Sequence, residues 1–350
     1  MLVAILHNAV SADAAPDERD VLVQRDVVND ALRRLGYQVV PLPCSLDLEA
    51  TRRELLRLRP DVVFNLVEAL GGSDWLMFLP TALLDALNLP YTGSPTEAML
   101  QTTHKILAKQ QLAAAGLPTP AWVDEGGQGS GVRGQESGDS QWIVKAVREH
   151  ASIGMDDGSV ITTDDVAVVR ERLQEKFTST QTKHFAERFV AGREFNLSLL
   201  AAGGDVHVLP PAEIDFSLFP PDKPAIVGYA AKWDEASAEY QHTPRRFDFA
   251  ASDRPLLAEL SRLAVACWRR FELRGYARVD FRVDHAGQPW ILEINANPCL
   301  SPDAGFAAAL LRGGVPFDQA IANILAAATN APHAAASLAK KQSEAEHDDQ

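Results

Sequence analysis

Four polar side chains interrupt two apolar runs near the carboxyl-terminal end of the chain, and their spacing could hold a metal ion. Residues 278–298 read RVDFRVDHAGQPWILEINANP. Runs of β-forming residues on both sides of a glycine-containing turn predict a β-hairpin. With a four-residue loop, Asp280 lies opposite Glu293 and Arg278 lies opposite Asn295. Alternate strand residues point to the same side, so all four side chains share one face.

Two interpretations of this face remain open on the hairpin alone. Directly opposed side chains have Cβ atoms roughly 5 Å apart, so the two carboxylates would repel each other. A divalent cation removes that repulsion, since Mg²⁺ takes oxygen ligands at about 2.1 Å and usually completes its shell with substrate phosphates and water. The alternative is a solvated strand face held by an Arg–carboxylate pair, which is ordinary in proteins.

Two lysines and a polar loop are candidate phosphate ligands. Lys105 lies on a predicted helix, and Lys145 ends the apolar run WIVK. Lysines can hold nucleotide phosphates as point charges, although a lysine at a strand end is usually only solvated. The loop at residues 149–158, EHASIGMDDG, offers Ser152 and backbone N–H groups that could wrap phosphate oxygens. Most glycine-containing turns bind nothing, so this pattern is weak.

Two further segments carry polar groups beside apolar ones. Glu187 and Glu194 flank a glycine turn and could accept from a ribose hydroxyl or an adenine amine, with Phe189 against the ring. The alternative is the solvated rim of a hairpin. Lys232 precedes Trp233 in a long loop, where it could equally be a cation lying over its aromatic neighbour. The sequence shows neither a nucleophile with a positioned base nor a GxGxxG fingerprint.

Alternating elements must position these groups. In the first part of the chain, strands alternate with helices, which favours a parallel α/β sheet. The predicted strands are residues 2–6, 37–42, 61–66, 142–145, 185–190 and 194–200, and residues 118–123 are predicted to lead into a further strand. The predicted helices are residues 18–35, 49–58, 76–87, 96–115, 164–177, 255–271 and 316–327. Residues 207–216 are predicted to be extended, and residues 217–246 to form a long loop.

Composition narrows the class of protein. The 350 residues suffice for two or three compact units. There are 33 Lys and Arg against 47 Asp and Glu, and a net charge of -14 argues against non-specific nucleic-acid binding. Three widely spaced cysteines suggest a reduced, cytoplasmic protein. We also expect no signal peptide and no membrane segment.

In order and spacing, these pieces resemble the ATP-grasp superfamily, and most closely its D-alanine:D-alanine ligase-like branch. The similarity runs from about Pro90 to Leu325 and is weak over the amino-terminal part. It rests on the motifs PYTGS followed by Lys105, GLPTP, VKAVREHASIGM, ERFVAGREF, KW and RVDFRV…ILEINANP.

The resemblance implies an α/β fold of three units with ATP held between the last two. These would be an amino-terminal parallel α/β domain at residues 1–94, a small central lid at 95–184, and a mainly antiparallel catalytic domain at 185–329. Residues 125–141, nearly free of apolar side chains, are predicted to form a flexible insertion. Residues 330–350 are predicted to be a disordered tail.

The resemblance also assigns roles by motif. Three lysines would contact the ATP phosphates: Lys105, Lys145 and Lys232. The adenine site would be lined by Glu187, Arg188, Phe189 and Val190, and the ribose would meet Glu194. Two Mg²⁺ ions, or Mn²⁺, would be held by Asp280, Glu293 and Asn295, with Glu293 bridging. Arg278 would stabilise the tetrahedral intermediate, and Ser152, Lys232 and Glu18 would complete the catalytic set.

Departures from the family pattern concern the substrate. The first loop has no glycines, although Glu18 in ERDV resembles the family's amine-binding Glu. Trp233 stands where a Tyr is usual, Cys299 where a Gly is usual, and His150-Ala151 where Gly-Ser is usual. The leading hypothesis is therefore an ATP-dependent carboxylate–amine ligase that acts on an amino acid or small peptide, with a homodimer as the candidate assembly. The alternatives are a true D-alanine:D-alanine ligase and an ATP-binding protein without ligase activity.

Overall fold

The amino-terminal part forms a parallel sheet, as predicted from its alternating strands and helices. The protein, seen as a computed structural model, is described over residues 1–11, 14–126, 129–130, 140–149, 155, 157–219, 223–234 and 236–329. Its first elements are β1 (Leu2–Asn8), α1 (Pro16–Arg34), β2 (Gln38–Cys44), α2 (Leu48–Leu58) and β3 (Val62–Asn65). The strands pair in parallel in the order β2-β1-β3. The buried stripe of α1, including Val28 and Leu32, packs in one cluster with Val3 and Ile5 of β1.

The helix predicted at residues 96–115 is two helices. A 3-10 turn (Asp74–Phe78) leads into α3 (Leu79–Ala86), and α4 (Thr96–Thr103) and α5 (Lys105–Ala114) follow. His104 is extended, and its ring Nδ1 accepts from Leu107 N at 3.2 Å, so the imidazole caps α5. The break places Lys105 in the first turn of α5. A cation there faces the positive end of the helix dipole, which costs stability.

The central sheet is antiparallel. Its elements are β4 (Trp122–Asp124), β5 (Gly129–Ser130), β6 (Gln141–Ala146), β7 (Val160–Thr162), α6 (Val166–Thr180) and β8 (His184–Arg188). The strand order is β5-β4-β8-β6-β7. One face is covered by α6, whose buried Val169 and Leu173 pack with Trp142 and Val144 of β6.

The largest sheet lies in the carboxyl-terminal half. Its elements are β9 (Arg193–Ala202), β10 (Asp205–Val208), β11 (Ala212–Ile214), α7 (Tyr229–Trp233), α8 (Ala238–Gln241), β12 (Arg245–Arg246), α9 (Arg254–Arg270), β13 (Tyr276–Val283), β14 (Pro289–Asn295), α10 (Gly305–Arg312) and α11 (Phe317–Thr329). The strand order is β12-β11-β9-β13-β14, and β10 pairs with β9. Alternate β9 residues Phe195, Leu197 and Leu199 are fully buried in one cluster with Leu260 and Leu263 of α9.

The hairpin of β13 and β14 has the predicted pairing at its open end and a different pairing near its tip. Arg278 pairs with Asn295 and Asp280 with Glu293, which confirms the predicted shared face. The four-residue loop is wrong, because β13 ends at Val283 and β14 begins at Pro289. The Asp284 carboxylate accepts from the backbone N–H groups of Ala286 and Gln288 and so stabilises the longer loop.

A β-bulge reconciles this longer loop with the predicted pairing. The register shifts between Asp280 and Phe281, and Phe281 pairs with Ile291, so Leu292 is the extra residue. Leu292 and Glu293 consequently both line the same cleft. An apolar surface and a carboxylate thus lie side by side on one strand.

Several elements were not predicted. The strand β7 and the helix α10 are absent from the prediction. The stretch predicted to be a long loop, residues 217–246, is interrupted by α7, α8 and β12. Two of these elements, α8 and β12, are four and two residues long, so they lack a readable hydrophobic period. Ser152, most of the predicted insertion and the tail at residues 330–350 lie outside the described residues.

No helix in the described part of the chain has the length and apolar character needed to cross a membrane.

Candidate active site

One cleft gathers side chains from all three sheets and their connections. Its volume is about 910 Å³. Every predicted site residue in the described ranges lines it: Glu18, Lys105, Lys145, Glu187, Arg188, Phe189, Val190, Glu194, Lys232, Arg278, Asp280, Glu293 and Asn295. Ser152 is outside those ranges. Residues separated by up to 277 positions in the chain therefore share one cavity.

The predicted metal face carries an Arg–carboxylate pair. Arg278 Nε and Nη2 donate to the two oxygens of Asp280 at 2.8 and 2.9 Å. Asn196 Nδ2 donates to the same carboxylate at 2.8 Å. Burial opposes the charge on Arg278, but Asp280 and Glu293 outweigh it and raise the Arg278 pKa. The Arg–carboxylate pair expected for a solvated strand face is thus present, but it lies inside the cleft. Only 21% of the Arg278 side chain and 13% of the Asp280 side chain are exposed.

Glu293 lies near two lysines that were predicted to contact phosphates. Lys105 Nζ is 3.3 Å from Glu293 Oε1, and it also donates to the backbone carbonyl of Glu149. Lys232 lies in the last turn of α7 and lines the cleft. Burial lowers the Lys232 pKa, and the charge of Arg278 lowers it further against the opposing pull of Glu293. A polyanion bound in the cleft would offset both effects that disfavour the charged form of Lys232, namely its burial and its repulsion by Arg278.

A buried network of two lysines and a carboxylate supports the next part of the cleft. Lys145 Nζ and Lys109 Nζ each lie 2.6 Å from an oxygen of Glu187. Lys109 and Glu187 are both 1% exposed, so this pair is held away from water. Burial works against the Glu187 carboxylate, but the two lysines outweigh it and its pKa lies below its ordinary value.

Sequence reasoning missed Lys109. Its Nζ also donates to Thr119 Oγ1 at 2.8 Å and to the Pro120 carbonyl at 3.3 Å. The available signal was its position one helical turn after Lys105, on a helix that otherwise buries apolar residues.

Aromatic and guanidinium groups surround the predicted nucleoside site. The Arg188 guanidinium lies over the Trp142 ring at 4.4 Å, and Arg282 lies over Phe189 at 5.4 Å. Arg282 Nε is also 3.0 Å from Glu194 Oε2. Glu194, predicted to meet the ribose, is therefore held by a buried arginine.

The opposite end of the cleft is acidic. Glu18 is exposed, and its carboxylate accepts from Ala15 N at 3.3 Å, which caps α1. Glu68 is recessed and accepts from Gln24 Nε2 at 3.0 Å. Burial raises the Glu68 pKa to about 8, with Asp20 and Asp74 adding to the effect. Glu68 and Asp20 are absent from the predicted site, although Glu68 follows the buried parallel strand β3, where ligands are usually bound.

Cys299, which departs from the family's glycine, is tied to this acidic end. Its Sγ donates to Asp20 Oδ2 at 2.9 Å, and Ser301 Oγ donates to Asp20 Oδ1 at 2.6 Å. Burial, with Glu68 and Asp20 nearby, raises the Cys299 pKa well above its ordinary value. The thiol is consequently a neutral donor in the cleft wall.

The donor set fits magnesium. Asp280, Glu293 and Asn295 supply only oxygen ligands, which Mg²⁺ prefers. Within the described residues no group of three His, Cys, Asp and Glu side chains is placed to hold a metal, and here the third donor is an Asn. The neighbouring cations Lys105 and Arg278 complement the phosphates that such an ion would accompany.

Comparison with known proteins identifies the family. The model of the D-ala D-ala ligase C-terminus matches residues 136–326, more than half of the chain. A D-alanine--D-alanine ligase of Moorella thermoacetica is 30% identical over 318 residues, covering 86% of this chain and 94% of its own. One of Aquifex aeolicus is 27% identical over 309 residues, covering 88% and 96%.

Solved structures show the same fold. The D-alanine--D-alanine ligase of Bacillus anthracis complexed with ATP has a TM-score of 0.66 at 18% identity, covering 94% of this chain and 97% of that one. The chain therefore belongs to the D-alanine--D-alanine ligase family, has the ATP-grasp fold, and is an ATP-dependent ligase that forms carbon–nitrogen bonds.

Proposed function

We propose that this enzyme joins the carboxyl group of an amino acid or small peptide to an amine through an acyl phosphate, releasing ADP and phosphate. The observation that carries the proposal is the single cleft in which Lys105, Lys145, Lys232 and Arg278 meet the oxygen donors of the β13–β14 hairpin. Cations for phosphates and oxygen ligands for a metal are the two requirements of phosphoryl transfer.

The first step transfers the γ-phosphoryl group to the substrate carboxylate. Negative charge gathers on the reacting oxygens, so catalysis comes mainly from positioning and from cations that stabilise this charge. The three lysines would hold the phosphates, and Lys105 lies closest to the metal ligands through its 3.3 Å contact with Glu293. Magnesium ions held by Asp280, Glu293 and Asn295 would neutralise phosphate charge when bound.

The second step is attack of the amine on the acyl phosphate. The amine first adds to the acyl carbon to give a tetrahedral intermediate. The C–O bond to phosphate then breaks, and the departing phosphate takes the proton that the amine loses. Arg278 would stabilise the oxyanion of the tetrahedral intermediate, and its position in the cleft lining beside Asp280 supports this role. To do so it would have to loosen its bidentate pair with Asp280.

The substrate end supports an amino-bearing carboxyl donor. Glu18 and Asp20 place acidic side chains there, and such groups favour a substrate ammonium. Glu68, whose pKa burial raises to about 8, would become charged more readily once such a cation is bound. In place of a backbone-only glycine wall, Cys299 presents a thiol bound to Asp20. The substrate pocket thus departs from the family while the set of ATP-handling residues follows it.

The test is turnover of ATP with pools of amino acids and dipeptides in the presence of Mg²⁺. Phosphate release should rise above background with at least one pool, and mass spectrometry should find a product lighter by one water than the summed substrates. Absence of release with every pool would contradict ligase activity on these substrates.

A true D-alanine:D-alanine ligase is the second candidate, favoured by the names of relatives at 27% to 30% identity. Turnover restricted to D-alanine would establish it, and turnover with another pair would exclude it. The number of metal ions, a homodimer and a cytoplasmic location remain predictions.

A further inference from the structure

A buried arginine lies one step along β13 from the proposed metal ligands. Arg278, Asp280 and Arg282 are alternate residues of this strand, so they share a face, and all three line the cleft. Arg282 pairs across the sheet with Glu194 of β9, as Asp280 pairs with Asn196. The pair of Arg282 and Glu194 is therefore the neighbour of the metal face on the side of the proposed nucleoside site.

The Arg282 guanidinium joins three segments of the chain. Its Nε lies 3.0 Å from Glu194 Oε2. Its Nη1 donates to the Gly192 carbonyl at 3.2 Å, and its Nη2 donates to the Ala225 carbonyl. Each nitrogen of the fork thus has a different partner, and two of these partners are backbone groups that cannot turn away. The orientation of the guanidinium is fixed before any ligand binds.

Two aromatic rings complete this setting. The centres of the Phe189 and Phe216 rings each lie 5.4 Å from the guanidinium carbon of Arg282. The arginine is only 3% exposed, and a cation removed from water in this way requires a carboxylate partner. Glu194 is that partner, so Arg282 holds the Glu194 carboxylate as firmly as it is held itself.

The Glu194 carboxylate has one oxygen left for a ligand. In the described part of the chain, Arg282 is the one group that forms an ion pair or hydrogen bond with this carboxylate, and it does so at Oε2. The side chain lines the cleft and is 13% exposed. A carboxylate is purely an acceptor, so Oε1 is placed to accept from a hydroxyl group in the cleft.

Arg282 also keeps this carboxylate away from the lysines. Burial opposes the charge of Lys145, but nearby carboxylates outweigh it and raise the Lys145 pKa, Glu187 more than Glu194. Burial lowers the Lys232 pKa, and Glu194 acts against this. Glu194 therefore lies within electrostatic reach of both lysines. Without Arg282, its charge would compete with the ATP phosphates for them.

We propose that Arg282 positions Glu194 so that a single carboxylate oxygen accepts from the ribose, and that the enzyme therefore recognises one ribose hydroxyl of ATP and not both. Arg282 is a positioning residue, because it acts through Glu194 and not on the nucleotide. This inference rests on the binding of ATP in the cleft, which is part of the proposed function.

The test is calorimetric binding of ADP, 2′-deoxy-ADP, 3′-deoxy-ADP and 2′,3′-dideoxy-ADP to the wild-type protein in the presence of Mg²⁺. One of the two monodeoxy nucleotides should bind with a Kd about tenfold higher than that of ADP, since it loses a hydrogen bond to a charged group. The other should bind like ADP, and the dideoxy nucleotide should bind like the weaker monodeoxy nucleotide. The measurement needs no turnover, so it does not depend on finding the substrates.

Variants separate positioning from general support of the fold. Arg282→Met should raise the Kd for ADP to nearly that of the sensitive deoxy nucleotide, so that the ratio between the two falls toward one. Arg282→Lys should recover part of the ratio, because an ammonium also pairs with Glu194. The matched control is Arg193→Met. Arg193 lies over the Phe195 ring at 4.9 Å and pairs with Glu213 in the same sheet, outside the cleft lining, so its loss should leave the ratio at the wild-type value.

Three results would overturn the inference. They are equal Kd values for ADP and every deoxy nucleotide, losses for both monodeoxy nucleotides that multiply in the dideoxy nucleotide, and a wild-type ratio in Arg282→Met. A purely structural role would give the last result, with all Kd values raised equally. If Arg282→Met does not fold, the wild-type series and Arg282→Lys decide. Absence of turnover with every amino-acid pool would reject the proposed ligation and leave these Kd values to decide about Arg282, whereas absence of binding by all four nucleotides would reject both.

Discussion

The two ends of the cleft treat charge differently. At the nucleotide end, the Glu187 carboxylate is shared between Lys109 and Lys145, with contacts of 2.6 Å. At the substrate end, Glu68 accepts from a neutral amide and Arg245 donates to a carbonyl. Buried charges that are paired with each other hold the side chains in position before any ligand binds. Ionisable groups with neutral partners are stabilised in their charged form mainly when a ligand of opposite charge binds. The end that we propose to hold the nucleotide is therefore preorganised, and we propose that the other end determines which substrate is bound.

The largest expected effect tests the reaction centre between these ends. Glu293→Gln should reduce ATP turnover about a thousandfold or more, because it removes a charge from the proposed metal site while keeping side-chain volume. Far-ultraviolet circular dichroism and the unfolding midpoint should stay near wild type. The exposed Glu259→Gln, which only loses a contact with Arg262, is the control. Wild-type turnover in Glu293→Gln would exclude the metal assignment.

Breaking the paired end should cost stability. Glu187→Gln leaves two buried lysines without their carboxylate, so the free energy of unfolding should fall by about 3 kcal/mol. Urea denaturation measures this, with Glu49→Gln as a control that should be indistinguishable from wild type, since Glu49 pairs with Arg52 on the surface. A Glu187→Gln variant as stable as wild type would show that the network of Lys109, Glu187 and Lys145 does not stabilise the fold.

The acidic end predicts a dependence on pH. A carboxyl whose folded pKa is about 8 instead of 4.5 stabilises the fold below pH 4.5, and that stability is lost as pH rises to 8. Glu68→Gln cannot ionise, so its stability relative to wild type should increase between pH 5 and pH 8.5, by roughly 1–3 kcal/mol given that the side chain is partly open to the cleft. Urea midpoints at the two pH values measure the change. A pH-independent difference would contradict the raised pKa.

The smallest expected effect concerns Cys299. Burial and the neighbouring carboxylates raise its pKa well above the ordinary value, so it should react with iodoacetamide at pH 8 much more slowly than a free thiol. Cys44 and Cys267 are buried with raised pKa values as well, and should also react slowly. Mass spectrometry of the labelled native protein reads all three sites. Rapid labelling of Cys299 would show a solvent-accessible thiolate at the substrate end.

Local patterns predicted the elements better than the contacts between them. Hydrophobic period and turn residues were enough for β1, α1 and α9, and the alternation of strand residues placed Asp280 opposite Glu293. The break at His104 was missed because an imidazole cap has no periodic signature.

The unpredicted site residues come from long-range contacts. Glu187 meets Lys109 from another element, and Cys299 meets Asp20 across 279 positions. The amino-acid sequence alone does not show which charged residues form pairs, because the partners are far apart along the chain. Motif resemblance predicted the residues that we propose to bind ATP, but it did not predict Arg245 or Glu68, which lie outside the matched motifs.

Because of the bulge at Leu292, the positions of the proposed metal ligands do not depend on the length of the hairpin tip. Five residues connect β13 and β14, yet Asp280 still pairs with Glu293 because the extra residue is absorbed between them and the tip. Related chains can therefore gain or lose a tip residue without moving the ligands, provided that the bulge appears or disappears with it. Comparing homologous hairpins by counting back from the turn would misalign the ligands by one position, whereas aligning them from the strand ends at Arg278 and Asn295 would not.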